Sequence, residues 1–236
     1  VNARLDQATR NLEGFLSRVV TSADLVAGRA AYPAYNKTLR GLAARYSAPF
    51  VPTVEAFAAL SPNNDYLGNL RSAASLLEAR ELGLGFEACT ITTYRACGSR
   101  AWGYLVGDVS FLDTVRGAKI RAFRHNILYP DTSRAVTVDG HMIAIAAGER
   151  LTMKEAAAFL AKTPRLYQRI EDDVRRLARG YRLPIPALQA SLWTARKRSL
   201  GIVFSDQLRL FDEGTIWDTP IEAVDVLPYN KRHPAP

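Results

Sequence analysis

Residues 112–141, LDTVRGAKIRAFRHNILYPDTSRAVTVDGH, join a glycine-containing bend to a basic helix and then to a β-branched segment ending in an acid and a histidine. After Lys119, apolar residues recur at Ile120, Phe123, Ile127 and Leu128, which is helical spacing. Arg121, Arg124, His125 and Asn126 cover much of the remaining surface. Pro130 stops the helix, because proline disfavours helical geometry in the residue before it and lacks an N–H of its own. A lysine near one helix start and a carboxylate beyond the next loop can then face one cleft. Strongly apolar chain, MIAIAAG, follows His141 and is expected to be buried.

The totals bound the protein class. The chain has 236 residues, enough for one large domain or two small ones. Its hydrophobic content of 48% is ample for a core. Cys89 and Cys97 are the only cysteines, so neither zinc nor an iron–sulfur centre is suggested, and a reduced state is expected over a disulfide. No apolar run of about 18 residues and no secretory leader is recognisable, which points to a soluble cytoplasmic protein without a membrane partner. The net charge of +8 favours a polyanionic partner. Arg175, Arg176, Arg179, Arg182, Arg196, Lys197 and Arg198 crowd into two neighbouring segments, a candidate phosphate-binding surface or simply a solvated face.

Helical periodicity dominates the rest of the chain. Helices are expected over 4–19 and from about 21 to 30, the second capped by Thr21 or Ser22. Tyr32, Pro33 and Tyr35 punctuate the chain before a further run through Leu39 and Leu42. TVEAFAAL, residues 53–60, reads as a buried helix starting at a Thr53 cap, and SPNND, residues 61–65, ends it before a helix from Tyr66 through Leu77. TITTY, residues 91–94 with Thr90, resembles a short strand, and a short helix is expected from Arg100 to Leu105. Thr152 and Glu155 form a capping box, Pro164 opens the next run, and IPALQASLWTARKR is a final helix. The predicted fold is all-α, with a helical domain over 1–204, formed by two interleaved lobes, and a peripheral C-terminal segment over 205–236 ending in the mobile NKRHPAP.

Several residues carry candidate chemistry. A neutral lysine attacks a sugar C1′ to form a Schiff base, and an aspartate activates a nucleophile or stabilises positive charge at C1′ as a base departs. Arginine and histidine hold phosphate, while an aromatic ring and an amide grasp an extruded base. Surface lysines are far commoner than reactive ones, and an acid placed like Asp139 serves equally well as a helix cap or in a buried salt bridge. Asn63 and Asn64 fit a turn between helices as well as amides projected into a duplex.

Lys119 is followed twenty positions later by Asp139 within Val138-Asp139-Gly140-His141, and this pattern resembles the helix-hairpin-helix DNA glycosylase superfamily. It is most like a divergent 8-oxoguanine DNA glycosylase or a phage modified-base glycosylase. The resemblance implies that Lys119 is the nucleophilic lysine, Asp139 the essential carboxylate, and His141 a phosphate or cleft-wall residue. Ser61-Pro62-Asn63-Asn64 is similar to the asparagine loop of 8-oxoguanine glycosylases, which implies that Asn63 fills the space left by a flipped nucleotide, with Asn64 beside it. Leu188-Gln189-Ala190-Ser191-Leu192-Trp193 resembles a segment whose glutamine reads the base edge and whose aromatic, four residues on, stacks upon the base. Gly117 and Arg121 then fall at the hairpin, where DNA backbone is held. The usual L-P-G-V-G hairpin is replaced by Leu112-Asp113-Thr114-Val115-Arg116-Gly117, Trp193 stands for the usual phenylalanine, and the four-cysteine iron–sulfur loop of some relatives is absent.

The implied activity is excision of a modified nucleobase from double-stranded DNA by a monomeric enzyme, without cofactor or metal. AP-lyase activity accompanies it if Lys119 attacks C1′. Phage-related members of the superfamily that handle hypermodified pyrimidines suggest a role in defence against modified phage DNA. Two other readings stay open: an enzyme that remodels a hypermodified pyrimidine without breaking the base–sugar bond, and a DNA-binding module that kept the fold and lost the chemistry.

Overall fold

The structure is a computed structural model that describes residues 2–202. The expected boundary at 204/205, the segment beyond it and the NKRHPAP end lie outside the described residues. Eleven α-helices and no strand occur among the described residues, as the periodicity predicts. They are α1 (Asn2–Arg18), α2 (Ser22–Arg45), α3 (Phe50–Leu60), α4 (Tyr66–Glu81), α5 (Arg95–Val106), α6 (Phe111–Thr114), α7 (Ala118–Leu128), α8 (Gly140–Ala147), α9 (Met153–Lys162), α10 (Leu166–Tyr181) and α11 (Ile185–Ser199). A 3-10 turn, Phe86–Ala88, lies between α4 and α5.

Several starts are written locally. Thr21 caps α2 in a capping box with Asp24, and Thr152 caps α9 in another with Glu155. Other boundaries differ from expectation. α2 runs unbroken through Pro33 to Arg45, so the punctuation expected at Tyr32–Tyr35 does not end it. Tertiary contact outweighs the missing N–H there: α11 makes its most extensive contact with α2, and Tyr32 and Tyr35 pack against Phe123. α3 begins at Phe50, with Pro49 as its cap, and Thr53 lies inside the helix, where its hydroxyl donates to the Pro49 carbonyl at 2.9 Å. TITTY is not a strand. It follows α4 irregularly, with the Thr90 N–H donating to Ser75 Oγ and the Thr92 N–H to Ser72 Oγ, so threonines that suit a sheet satisfy their backbone on a helix instead. Pro164 precedes α10 rather than opening it, and a left-handed Arg165 makes the start.

Two hydrophobic cores organise the helices. The first gathers Leu39, Phe57, Leu60, Leu76, Leu77 and Ile127 with an aromatic cluster of Tyr32, Tyr35, Phe57, Tyr66 and Phe123. The second joins α1 to α8–α11 through Leu12, Val138, Met142, Ile170, Leu188 and Leu192. The chain's first helix thus completes a core built from its last four. α11 touches both, with Ala190 in the first core and Leu188 and Leu192 in the second. It is the seam on which the two halves meet.

Candidate functional site

The approach to Asp139 is fixed by a buried polar network. Residues 132–139 are irregular, with Val136 and Val138 buried in the second core and Thr137 buried between them. Thr137 Oγ1 accepts from Asn126 Nδ2 of α7 at 3.1 Å and lies 3.0 Å from the Tyr32 hydroxyl of α2. Asn126 Oδ1 accepts from Ser133 Oγ at 2.5 Å, and His125 Nδ1 lies 2.8 Å from the same hydroxyl. Buried polar groups satisfied in this way specify one geometry, since each lost partner would leave a desolvated atom unpaired. The β-branched segment therefore delivers Asp139 from a rigid strap between α7 and α8.

Asp139 caps α8: its Oδ1 accepts from the Met142 N–H at 3.0 Å. Oδ2 makes no hydrogen bond to the described residues. One oxygen holds the helix, and the carboxylate is half-buried. Its field reaches several neighbours. Burial pushes the Tyr167 hydroxyl up to about 12, with Glu171 and Asp139 adding to the effect. Burial pulls His141 below the ordinary imidazole value; Asp139 opposes this, while Lys197, Arg196 and Lys119 reinforce it. Lys119 and Asp139 thus act on one histidine.

Trp193 stands at this point. Its ring meets His141 edge-on, with centroids 6.4 Å apart. Lys197, one turn further along α11, places Nζ 3.9 Å from the centroid of the Trp193 ring. Burial lowers the Lys197 amine to about 8, against the opposing pull of Asp139 and Asp65. Asp65 caps α4 on the side of the first core, and Asp139 caps α8 on the side of the second. Lys197 accordingly lies across the seam between them. In the sequence it is one cation in a basic run; its position four residues after Trp193 is the signal that sets it apart.

The remaining expected residues fall into distinct settings. Asn63 is exposed and left-handed, with φ of 51°, a conformation asparagine tolerates better than most residues. Asn64 is built into the turn: its Nδ2 donates to the Leu60 carbonyl at 3.3 Å and its Oδ1 accepts from Thr92 Oγ1 at 3.0 Å. Gly117 caps α7 at φ of −71°, with open space where a Cβ would stand, so the backbone there makes no demand for glycine. Arg121 is exposed, yet its guanidinium donates to the carbonyls of Val115 and Leu112 at 2.6 and 2.7 Å, tying α7 to α6 and its C-cap. Gln189 is buried and its Oε1 accepts from the Tyr32 hydroxyl at 2.7 Å. α7 is held on α3 by Arg124, whose Nε and Nη2 both donate to Glu55 Oε1, at 2.9 and 2.6 Å.

Some of the basic side chains are paired internally. Arg175 pairs with Glu171 and Asp172, Arg176 with Glu13 and Asp173, and Arg198 with Asp24. The two basic segments act partly as clamps between helices. No group of three or more His, Cys, Asp or Glu able to hold a metal ion occurs among the described residues, and Cys89 and Cys97 are free thiols. No helix among the described residues is long and apolar enough to cross a membrane. A cavity lined by Arg29, Pro33, Asp131 and Pro184 contains none of the candidate site residues. Charge and aromatic surface coincide instead at the seam, where Lys197 and His141 meet Trp193.

The chain belongs to DUF7178, a family of unknown function, which matches residues 4–200. That span takes in both cores and every residue of the seam. No curated protein and no solved structure matches the chain.

Proposed function

We infer that the protein is a DNA glycosylase that turns a modified nucleotide out of the duplex and cleaves its N-glycosidic bond. The observation that carries this reading is the meeting of Asp139, His141 and Trp193 on the seam between the two helical cores. The helix-hairpin-helix glycosylase resemblance of the same residues supports it. The two cores then act as the lobes flanking the DNA.

Each group has a role in this mechanism. Asn63, on its exposed turn, enters the space vacated by the flipped nucleotide. Trp193 stacks on the base, and the Nε2 amide of Gln189 meets a polar edge, its Oε1 being engaged by Tyr32. As the base leaves, positive character develops at C1′ and the Asp139 carboxylate stabilises it; in a site partly shielded from water such a charge acts strongly. Lys119 adds positive charge towards the DNA backbone, or attacks C1′ when the enzyme also acts as an AP lyase. Gly117, Arg121 and His141 lie along the phosphate path.

A mass-resolved single-turnover assay on a panel of duplexes carrying oxidised guanine, glucosylated cytosine and other altered bases tests the proposal. Release of an intact free base from at least one duplex is the expected result. Alteration of the base with its sugar bond intact would identify a remodelling enzyme instead. Binding across the panel without any chemistry would identify a DNA-binding module.

A further inference from the structure

We propose that the cavity between α2, the head of the strap before α8 and the start of α11 binds a free α-amino acid with an aliphatic side chain. The cavity has a volume of about 200 Å³ and is lined by none of the seam residues, so the proposal stands apart from the glycosylase reading. Its charged lining comes from two elements, Arg29 of α2 and Asp131 of the strap. Both side chains are exposed, and neither pairs with the other or forms a hydrogen bond with any described residue. Opposite charges on one cavity that do not neutralise each other match a ligand that carries both signs.

The anionic end of the ligand belongs at Arg29 and the head of α11. That helix starts at Pro184 with no side-chain cap and no acid in its first turn, and Ala187, on the cavity wall, belongs to that turn. First-turn N–H groups have no intrahelical acceptor, and the positive end of the helix adds to the guanidinium. A carboxylate meets Arg29 in a charge-assisted pair, and an ammonium donates to Asp131. Between them the walls are Pro33, Pro130, Pro184 and the buried Tyr32. A dry cavity of about 150 Å³ holds a benzene ring, so about 200 Å³ takes a branched aliphatic side chain. It falls short of the roughly 300–1,000 Å³ that drug-sized ligands occupy. Tyr32 ties the cavity to the rest of the fold. Its hydroxyl lies 3.0 Å from Thr137 Oγ1 in the strap and 2.7 Å from Gln189 Oε1 on α11, so an occupant braces three elements at once.

Isothermal titration calorimetry of the full chain tests the assignment with L-leucine and two relatives: isocaproate, which lacks the ammonium, and isoamylamine, which lacks the carboxylate. L-leucine should saturate a single site and raise the melting temperature. Each singly charged relative should bind about tenfold or more weakly, the loss of one charge-assisted contact. R29M should weaken L-leucine about tenfold or more and leave isoamylamine unchanged. D131N should weaken L-leucine by a similar factor and leave isocaproate unchanged. Both positions are exposed, so the unliganded variants should melt with the parent, which separates lost binding from lost folding. Absence of saturable L-leucine binding at tens of millimolar, equal binding of the singly charged relatives, or parental affinity for L-leucine in either variant would each overturn the proposal.

Discussion

Asp139 caps α8, and mutation can separate that role from the charge proposed for it. Asparagine caps a helix about as well as aspartate, so D139N should keep stability within about 0.5 kcal/mol, whereas D139A should lose about 1 kcal/mol with the cap. Urea denaturation of the two variants checks this, and equal losses would mean that Asp139 Oδ1 does not hold α8. Asn63 offers a second separation. Its left-handed backbone accepts glycine without strain, so N63G should melt at or slightly above the parental temperature while its affinity for a distorted duplex falls about fivefold to tenfold, the loss of roughly 1 to 1.4 kcal/mol. If N63G binds DNA as tightly as the parent, the amide does not enter the duplex.

At the scale of elements, the packing of α2 on α11 is the tightest constraint in the fold. A Cβ at Gly28 would stand 2.5 Å from the Ser191 backbone nitrogen and 2.6 Å from the Ala187 carbonyl oxygen. G28A should therefore destabilise the protein by about 2–3 kcal/mol, measurable by denaturant titration, because backbone cannot move aside as a flexible side chain does. Parental stability in G28A would show that the two helices are not so close. Close by, Arg198 ties the end of α11 to the start of α2, donating to Asp24 Oδ2 at 2.7 Å and to the Val19 carbonyl ahead of the helix at 2.7 Å. Burial pushes the Asp24 carboxyl up, but Arg198 and Thr21 outweigh it and hold it below the ordinary carboxylate value. A depressed folded value contributes stability above the unfolded value of about 3.9 and loses it as pH falls through the folded one. D24N should thus cost about 1–3 kcal/mol at pH 7, and its deficit against the parent should shrink below about pH 4. A deficit that stays constant with pH would remove the ion pair from the account.

These elements also show what sequence can and cannot disclose. The capping boxes at Thr21 and Thr152, the helix after Lys119 and the buried run after His141 are local signals, and the fold follows them. Pro33 inside α2 and the irregular path of TITTY are not local. The first depends on aromatic packing from α3 and α7, the second on hydroxyls of α4 that lie fifteen to twenty residues away. The seam divides in the same way. Asp139, His141 and Trp193 stand out by pattern, whereas Lys197 acquires its character from burial against Trp193 and from carboxylates on two other helices. Long-range ion pairs likewise make Arg176 and Arg198 helix clamps, to Glu13 and Asp24, while Arg175 pairs with acids of its own helix.

Over the whole molecule, the return of α1 to the core of α8–α11 leaves α11 as the shared wall of two helical halves. The acids capping α4 and α8 both act on Lys197, which lies over Trp193 of α11. The central claim is that the charge of Asp139 drives departure of the base, and a single-turnover comparison of parent and D139N on a duplex that the parent processes tests it most directly. D139N should bind that duplex within a few-fold of the parent yet release free base about 10²–10³-fold more slowly, the loss typical of one transition-state electrostatic group. Parental rates of base release by D139N would contradict the account.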